Sequence, residues 1–194
     1  MIIGITGSFG SGKTTVAKMF KQFDFEVINV DKLYRDIYKK NKSLKNKIKN
    51  EFGTLNREKI KKIVFDNSDK LKKLNNITHP IILKALKQEI NKINKNKSFK
   101  KLKNNKIIVD IPLLFESKSE KLFDKIIVVK YNKKAQIKRI LKKKKHSKKE
   151  IEQIIKSQMP LNTKLKKADF VIDNNKSLKN IDSQIKKIIK NLKN

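Results

Sequence analysis

The chain reads as an α/β protein built on a parallel β-sheet. Three observations predict it. Short β-branched apolar runs alternate with longer helical patterns, several of those runs stop at Gly or Asp, and the first runs straight into a Gly-rich turn. Ile2 to Ile5 is that first run, followed at once by Gly7, Gly10 and Gly12. Thr14 to Lys21 then places Val16, Ala17 and Phe20 on one helical face. Val27-Ile28-Asn29-Val30 reads as a second strand that stops at Asp31. From 32 to 95 the spacing is helical, broken near Gly53 and at Asp66-Asn67-Ser68, with a helix start expected at His79-Pro80. The strand Ile107-Ile108-Val109 ends at Asp110, and Ile126 to Val129 forms another. A helix from Lys133, a Lys-rich stretch at 142–149, a further helix and the strand Phe170-Val171-Ile172 come next. Leu178, Ile181, Ile185, Ile188, Ile189 and Leu192 mark an amphipathic closing helix.

In a parallel sheet, ligands gather outside the carboxyl ends of the strands. That singles out Gly7, Asp31, Asp110 and Asp173. Residues 32–105 and 140–168 read as insertions into a core made of 1–31, 106–139 and 169–194. The runs 94–106 and 142–149 are low in complexity and read as exposed.

Leu, Ile, Val and Phe supply 62 of 194 residues, enough for a sizeable core despite a net charge of +33. There is no cysteine, which excludes disulfides and thiolate metal sites. No apolar run approaches the ~18 residues of a membrane helix, and the first residues lack the pattern of a signal peptide. A soluble, cytoplasmic protein is expected, with no membrane partner. Lysine is spread along the whole chain, so the charge reads as solvated helix faces and not as a nucleic-acid surface. Among 51 cations only Arg35, Arg57 and Arg139 are arginine. A guanidinium binds phosphate or carboxylate bidentately where an ammonium cannot, so each Arg marks a position of interest.

Gly7-Ser8-Phe9-Gly10-Ser11-Gly12-Lys13-Thr14 satisfies G-x-x-x-x-G-K-[ST], between a strand and a helix as that motif requires. Its glycines let successive N–H groups wrap phosphates, and the helix adds its positive end. Gly10, Ser11, Gly12, Lys13, Thr14 and Thr15 are the nucleotide-binding candidates. Lys13 is expected to be partly exposed and to reach the β- and γ-phosphates, with the Thr14 hydroxyl on Mg²⁺. Asp31, at a strand end, is either the base that takes a proton from an acceptor hydroxyl or an N-cap for a helix 32–40. Asp110 ends an apolar strand as a Mg²⁺-directed carboxylate does, and its side chain either reaches the ion through water or faces away.

Several segments in order resemble the dephospho-CoA kinase family. Ile5-Thr6-Gly7 through Thr15 and Ile28-Asn29-Val30-Asp31-Lys32-Leu33-Tyr34-Arg35 are similar to its phosphate loop and D-A-D-x-x-x-R segment. Phe52-Gly53, Leu55-Asn56-Arg57, Val64-Phe65 and Thr78-His79-Pro80 are similar to its F-G, L-D-R, V-F and H-P pattern. Asp110 to Glu116 resembles P-L-L-x-E, Gln136 to Arg139 the start of the lid, and Gln158 to Leu161 with Ala168 to Asn174 the last strand region. The resemblance implies a parallel-sheet P-loop nucleoside-kinase-like core with a helical acceptor-binding insertion and a lid. It implies transfer of the ATP γ-phosphate to the ribose 3′-hydroxyl of dephospho-CoA. On that basis Asp31 is the base, Lys13 and Arg139 steady the phosphoryl group, and Thr14 holds Mg²⁺. Thr6, Arg35, His79, Leu113 and Glu116 shape the acceptor site of a monomer or weak homo-oligomer. Asn29, Asn56, Lys143 and Lys176 stand where the family pattern has Asp, Asp, Arg and Gly. The alternatives are another small-molecule P-loop kinase, such as a nucleoside monophosphate kinase, or a basic nucleotide-hydrolysing RNA switch.

Overall fold

The apolar runs become five parallel strands: β1 (Ile2–Thr6), β2 (Glu26–Asn29), β3 (Ile107–Asp110), β4 (Lys125–Lys130) and β5 (Phe170–Asp173), in the spatial order β2-β3-β1-β4-β5. Between and after them run α1 (Lys13–Met19), α2 (Val30–Lys40), α3 (Lys42–Phe52), α4 (Arg57–Asp66), α5 (Ser68–Lys95), α6 (Lys133–Leu141), α7 (Lys148–Lys156), α8 (Leu161–Lys166) and α9 (Leu178–Asn191). This computed structural model describes residues 1–95, 106–142, 144 and 146–192. The chain forms two compact units, Met1–Asn29 with Ser98–Asn194, and Val30–Lys97.

The first unit is the sheet with its helices. β1 lies at the centre, paired with β3 on one side and β4 on the other, so Ile3 and Ile5 are fully buried. Strands covered on both faces read as unbroken apolar runs, which is why these were visible in the sequence. Val16, Ala17 and Phe20 pack against Ile108, Ile127 and Val129, and Ile181, Ile185 and Ile188 of α9 close the same core. α1 is shorter than expected, because Phe20–Phe23 tighten into a 3-10 turn. The register sets Asn29 beside Asp110 and Asp110 beside Ile5, so three strand ends are level where β1 gives way to the loop.

In the second unit, α2, α3 and α4 pack on the long α5. Leu44, Ile48, Phe52, Ile60 and Val64 form its core. Asn41 caps α3 through Leu44 N–H at 2.9 Å, and Asn56 caps α4 through Glu58 and Lys59 N–H at 3.0 and 3.1 Å. Asn caps about as well as Asp, so the Asn at position 56 keeps the local fold.

Two boundaries differ from the sequence reading. The second strand ends at Asn29, and α2 already includes Val30 and Asp31. Val30 is buried, and the chain turns helical at the strand's last residue. Asp31 therefore lies inside the first turn of α2 and is not the residue that caps it. His79-Pro80 opens no helix either, because α5 runs through Pro80. Proline withholds one N–H from the ladder. The apolar stripe Leu71, Leu74, Ile77 and Ile81 continues across it and keeps the helix packed. Thr78, buried two residues before Pro80, donates its hydroxyl to Leu74 O at 2.9 Å. No helix among the described residues is long and apolar enough to cross a membrane.

Candidate active site

The loop after β1 is shaped by its glycines and held from outside by amide and guanidinium side chains. Gly7 (φ 150°) and Gly12 (φ 93°) have the positive φ that L side chains rarely adopt. At Gly7 the neighbouring backbone also leaves no room, whereas at Gly12 a side chain would displace the Asn174 amide. A Cβ on Gly7 would stand 2.4 Å from Val129 O, and one on Gly12 2.1 Å from Asn174 Nδ2. Within the loop, Ser11 N–H donates to Ser8 O at 3.0 Å, and Thr15 and Val16 N–H donate to Gly12 O at 3.0 and 3.1 Å. Three successive carbonyls have partners from other segments: Phe9 O takes Gln136, Gly10 O takes Arg139, and Ser11 O takes Asn174 Nδ2 at 2.7 Å. Phe9 N–H is held by Gln158 Oε1 at 2.8 Å, and the Phe9 ring meets His146 edge-on at 5.6 Å. With these carbonyls bonded from outside, the positive start of α1 is left to face an anion.

Lys13 departs from expectation. It is 7% exposed, and its Nζ folds back on Ser8 O at 3.3 Å. The loop covers the methylene stem, so the ammonium is held inside the cradle and does not reach into solvent. Arg139 comes from α6 and lies over the Tyr131 ring at 4.3 Å, beside Gly10. Lys143, its expected companion, lies outside the described residues.

At the foot of α1 the Thr14 hydroxyl donates to Asp110 Oδ2 at 2.6 Å, and Asn29 Nδ2 donates to the same oxygen at 2.8 Å. Asp110 is 2% exposed, and its Oδ1 is buried with no hydrogen-bond partner among the described residues. Ser11 Oγ is in the same condition. An unsatisfied buried carboxylate oxygen is costly. Beside a threonine hydroxyl it is the hard oxygen environment that suits Mg²⁺ and its waters, so these residues fit that ion. An Asp at position 29 would set a second carboxylate against Asp110, whereas the amide donates a hydrogen bond.

The segment after β3 is tied down by a residue the sequence reading did not single out. Lys164 of α8 is fully buried, and its Nζ donates to Glu116 Oε1 at 2.8 Å and Pro112 O at 3.3 Å. Met159 N–H also donates to Glu116 Oε1, at 2.9 Å, and the buried Thr6 hydroxyl donates to Pro112 O at 3.0 Å. Glu116 Oε2 is buried without a partner among the described residues. Leu113 is half-buried within this segment, and Thr15 is exposed on α1. Asp173 is engaged by Lys130 and by Asn175. In the helical unit, Asp31 and Arg35 stand exposed one turn apart on α2, and His79 is half-buried in α5.

A family model described as Dephospho-CoA kinase matches residues 1–180. The chain belongs to the dephospho-CoA kinase family. A dephospho-CoA kinase from Fusobacterium nucleatum is 40% identical, with 96% of each chain covered. The crystal structure of TT1252 from Thermus thermophilus has a TM-score of 0.77 at 29% identity, covering 99% of this chain and 97% of that one. Dephospho-CoA kinase from Campylobacter jejuni has a TM-score of 0.65 at 28% identity, covering 98% and 96%. These findings favour the dephospho-CoA kinase reading over a nucleoside monophosphate kinase and make the protein a transferase with a kinase fold.

Within that family assignment, the residues that sequence reasoning passed over are supports. Gln136, Gln158 and Asn174 lie inside quoted motif segments, yet nothing in the spacing says that their amides bind loop backbone. Lys164 sits between Leu161 and Leu165 on an apolar stripe. In a chain this rich in lysine, that signal is lost.

Proposed function

We propose that this protein transfers the γ-phosphoryl group of ATP to the 3′-hydroxyl of dephospho-CoA, giving coenzyme A and ADP. The observation that carries the phosphoryl-donor half is Thr14 and Asn29 converging on Asp110 beneath the glycine loop. The family assignment supports the acceptor. In this reading the loop amides and Lys13 bind the β- and γ-phosphates, and Arg139 neutralises charge on the transferring group. The 3′-oxygen attacks the γ-phosphorus, the bond to the β,γ-bridging oxygen breaks, and the hydroxyl proton passes to Asp31. Thr14 and Asp110 would hold Mg²⁺, which when bound spreads the phosphate charge. Thr6 acts through Pro112, while Leu113, Glu116, Arg35 and His79 shape the acceptor site. The enzyme works in the cytoplasm as a monomer or weak homo-oligomer, and the scattered lysines support a function without nucleic acid. Incubation with ATP, Mg²⁺ and dephospho-CoA should yield coenzyme A by mass spectrometry. Hydrolysis of ATP with no coenzyme A formed would overturn the proposal.

A further inference from the structure

Gln158 grips the glycine loop from outside, and the peptide that it grips leads directly to Lys13. It lies in the turn between α7 and α8, and its Oε1 accepts Phe9 N–H at 2.8 Å. Phe9 N–H and Ser8 C=O belong to one planar trans peptide, so the two groups point in opposite directions. The Ser8 carbonyl is therefore turned away from Gln158. On that side it accepts Ser11 N–H at 3.0 Å and Lys13 Nζ at 3.3 Å. Gln136 takes the carbonyl of Phe9 itself, which pins the next peptide as well.

The turn that carries Gln158 is itself anchored. Gln158 N–H donates to Ile155 O at 3.2 Å at the end of α7, and Met159 N–H donates to Glu116 Oε1 at 2.9 Å. Glu116 is in turn paired with the fully buried Lys164 at 2.8 Å. The Gln158 amide thus meets Phe9 from a fixed base, and both Ser8 and Lys13 are buried. A planar peptide bonded at both edges cannot rotate without giving up a bond on each side. Without the Gln158 oxygen that restraint is one-sided. Rotation of the Ser8–Phe9 peptide then draws its carbonyl away from the ammonium.

We infer that Gln158 is a positioning residue for Lys13, holding the Ser8–Phe9 peptide so that its carbonyl stays turned toward the ammonium. The inference rests on Lys13 binding the β-phosphate of the nucleotide. Calorimetric titration with ADP and Mg²⁺ tests it on the full-length wild type, Gln158→Met, Lys13→Ala and the double variant. Methionine keeps the unbranched stem and removes the accepting oxygen. Gln158→Met should weaken ADP binding about fivefold or more, the scale of one hydrogen bond, with the fold retained. Because Gln158 acts through Lys13, the double variant should bind ADP no more weakly than Lys13→Ala alone. In steady-state assays Gln158→Met should raise KM for ATP and leave KM for dephospho-CoA near wild type. Losses that add in the double variant, or equal rises in both KM values, would overturn the inference. A Lys13→Ala protein that binds ADP like the wild type removes the reading of Lys13 and this inference together. Wild-type affinity in Gln158→Met, with Lys13→Ala impaired, removes this inference alone. Should Gln158→Met fail to fold, Gln158→Ser, too short to reach Phe9, takes its place in the same cycle.

Discussion

The glycine loop and the face of α2 use side chains in opposite ways. Around the loop, carbonyls and amides are gripped by residues from α6, the turn after α7 and the turn after β5, and Lys13 and Asp110 are buried. On α2, Asp31 and Arg35 are exposed, while Tyr34, Ile37 and Tyr38 pack the helix against its unit's core. In the proposed reaction the glycine loop is the phosphoryl-donor end, and its backbone is already held in place by these side chains. The proposed acceptor end on α2 presents solvated groups. A change on α2 should therefore disturb chemistry and leave the fold alone.

The largest effect belongs to Lys13. Lys13→Ala removes the ammonium held within the cradle, and phosphoryl transfer should fall to background while the melting temperature stays close to wild type. Near-normal turnover in a folded variant would take Lys13 out of the reaction. Asp31→Asn comes next and probes the exposed side. Asp31 lies inside the first turn of α2, where a carboxylate also favours the helix's positive end. Asn keeps the shape and cannot accept the proton, so turnover should drop by roughly 10²–10⁴-fold with thermal stability and ATP binding retained. Wild-type turnover by Asp31→Asn would leave Asp31 without a catalytic role and move the search for a base to Asp110.

The same contrast accounts for what could be read in the sequence. The strands and the loop were legible because double-sided burial and glycine spacing leave unbroken local patterns, as in Ile2 to Ile5 and Gly7 to Thr14. Boundaries set by tertiary contact were not. Val30 reads as the end of a strand but is buried in a helix, and Pro80 reads as a helix start but sits within one. Neither outcome can be seen without the neighbouring elements. The network of Lys164, Glu116, Pro112 and Thr6 was illegible for a related reason. It joins residues far apart in the chain, and its key cation is one lysine among 48.

That network offers a third test, on stability. Lys164→Met strips Glu116 of its buried partner, and breaking one side of a buried pair costs about 3–5 kcal/mol. The melting temperature should drop clearly. Pairing the change with Glu116→Gln should recover much of the loss, since no uncompensated charge then remains buried. If Lys164→Met melts like wild type, the pair contributes nothing to holding the segment 112–116.

The smallest effect lies at the far end of the sheet and marks where preorganisation fades. Burial pushes the Asp173 carboxyl up, but hydrogen bonds from the Asn175 backbone and side chain and the Lys130 ammonium outweigh it, leaving its pKa below the ordinary value. A carboxylate lowered in the folded state adds stability above its unfolded pKa, near 4, and that stability is lost as pH falls through the folded value. The side chain is 31% exposed, so solvent screens the interaction and the contribution is modest. Asp173→Asn has no proton to gain. Between about pH 5 and about pH 3 the wild-type melting temperature should therefore fall more steeply than the variant's, while near neutral pH the variant should be slightly the less stable. Calorimetric scans across that range decide it. Parallel curves for the two proteins would show that Lys130 and Asn175 do not favour the charged form of Asp173, and that the strand end beside the glycine loop is no more preorganised than the face of α2.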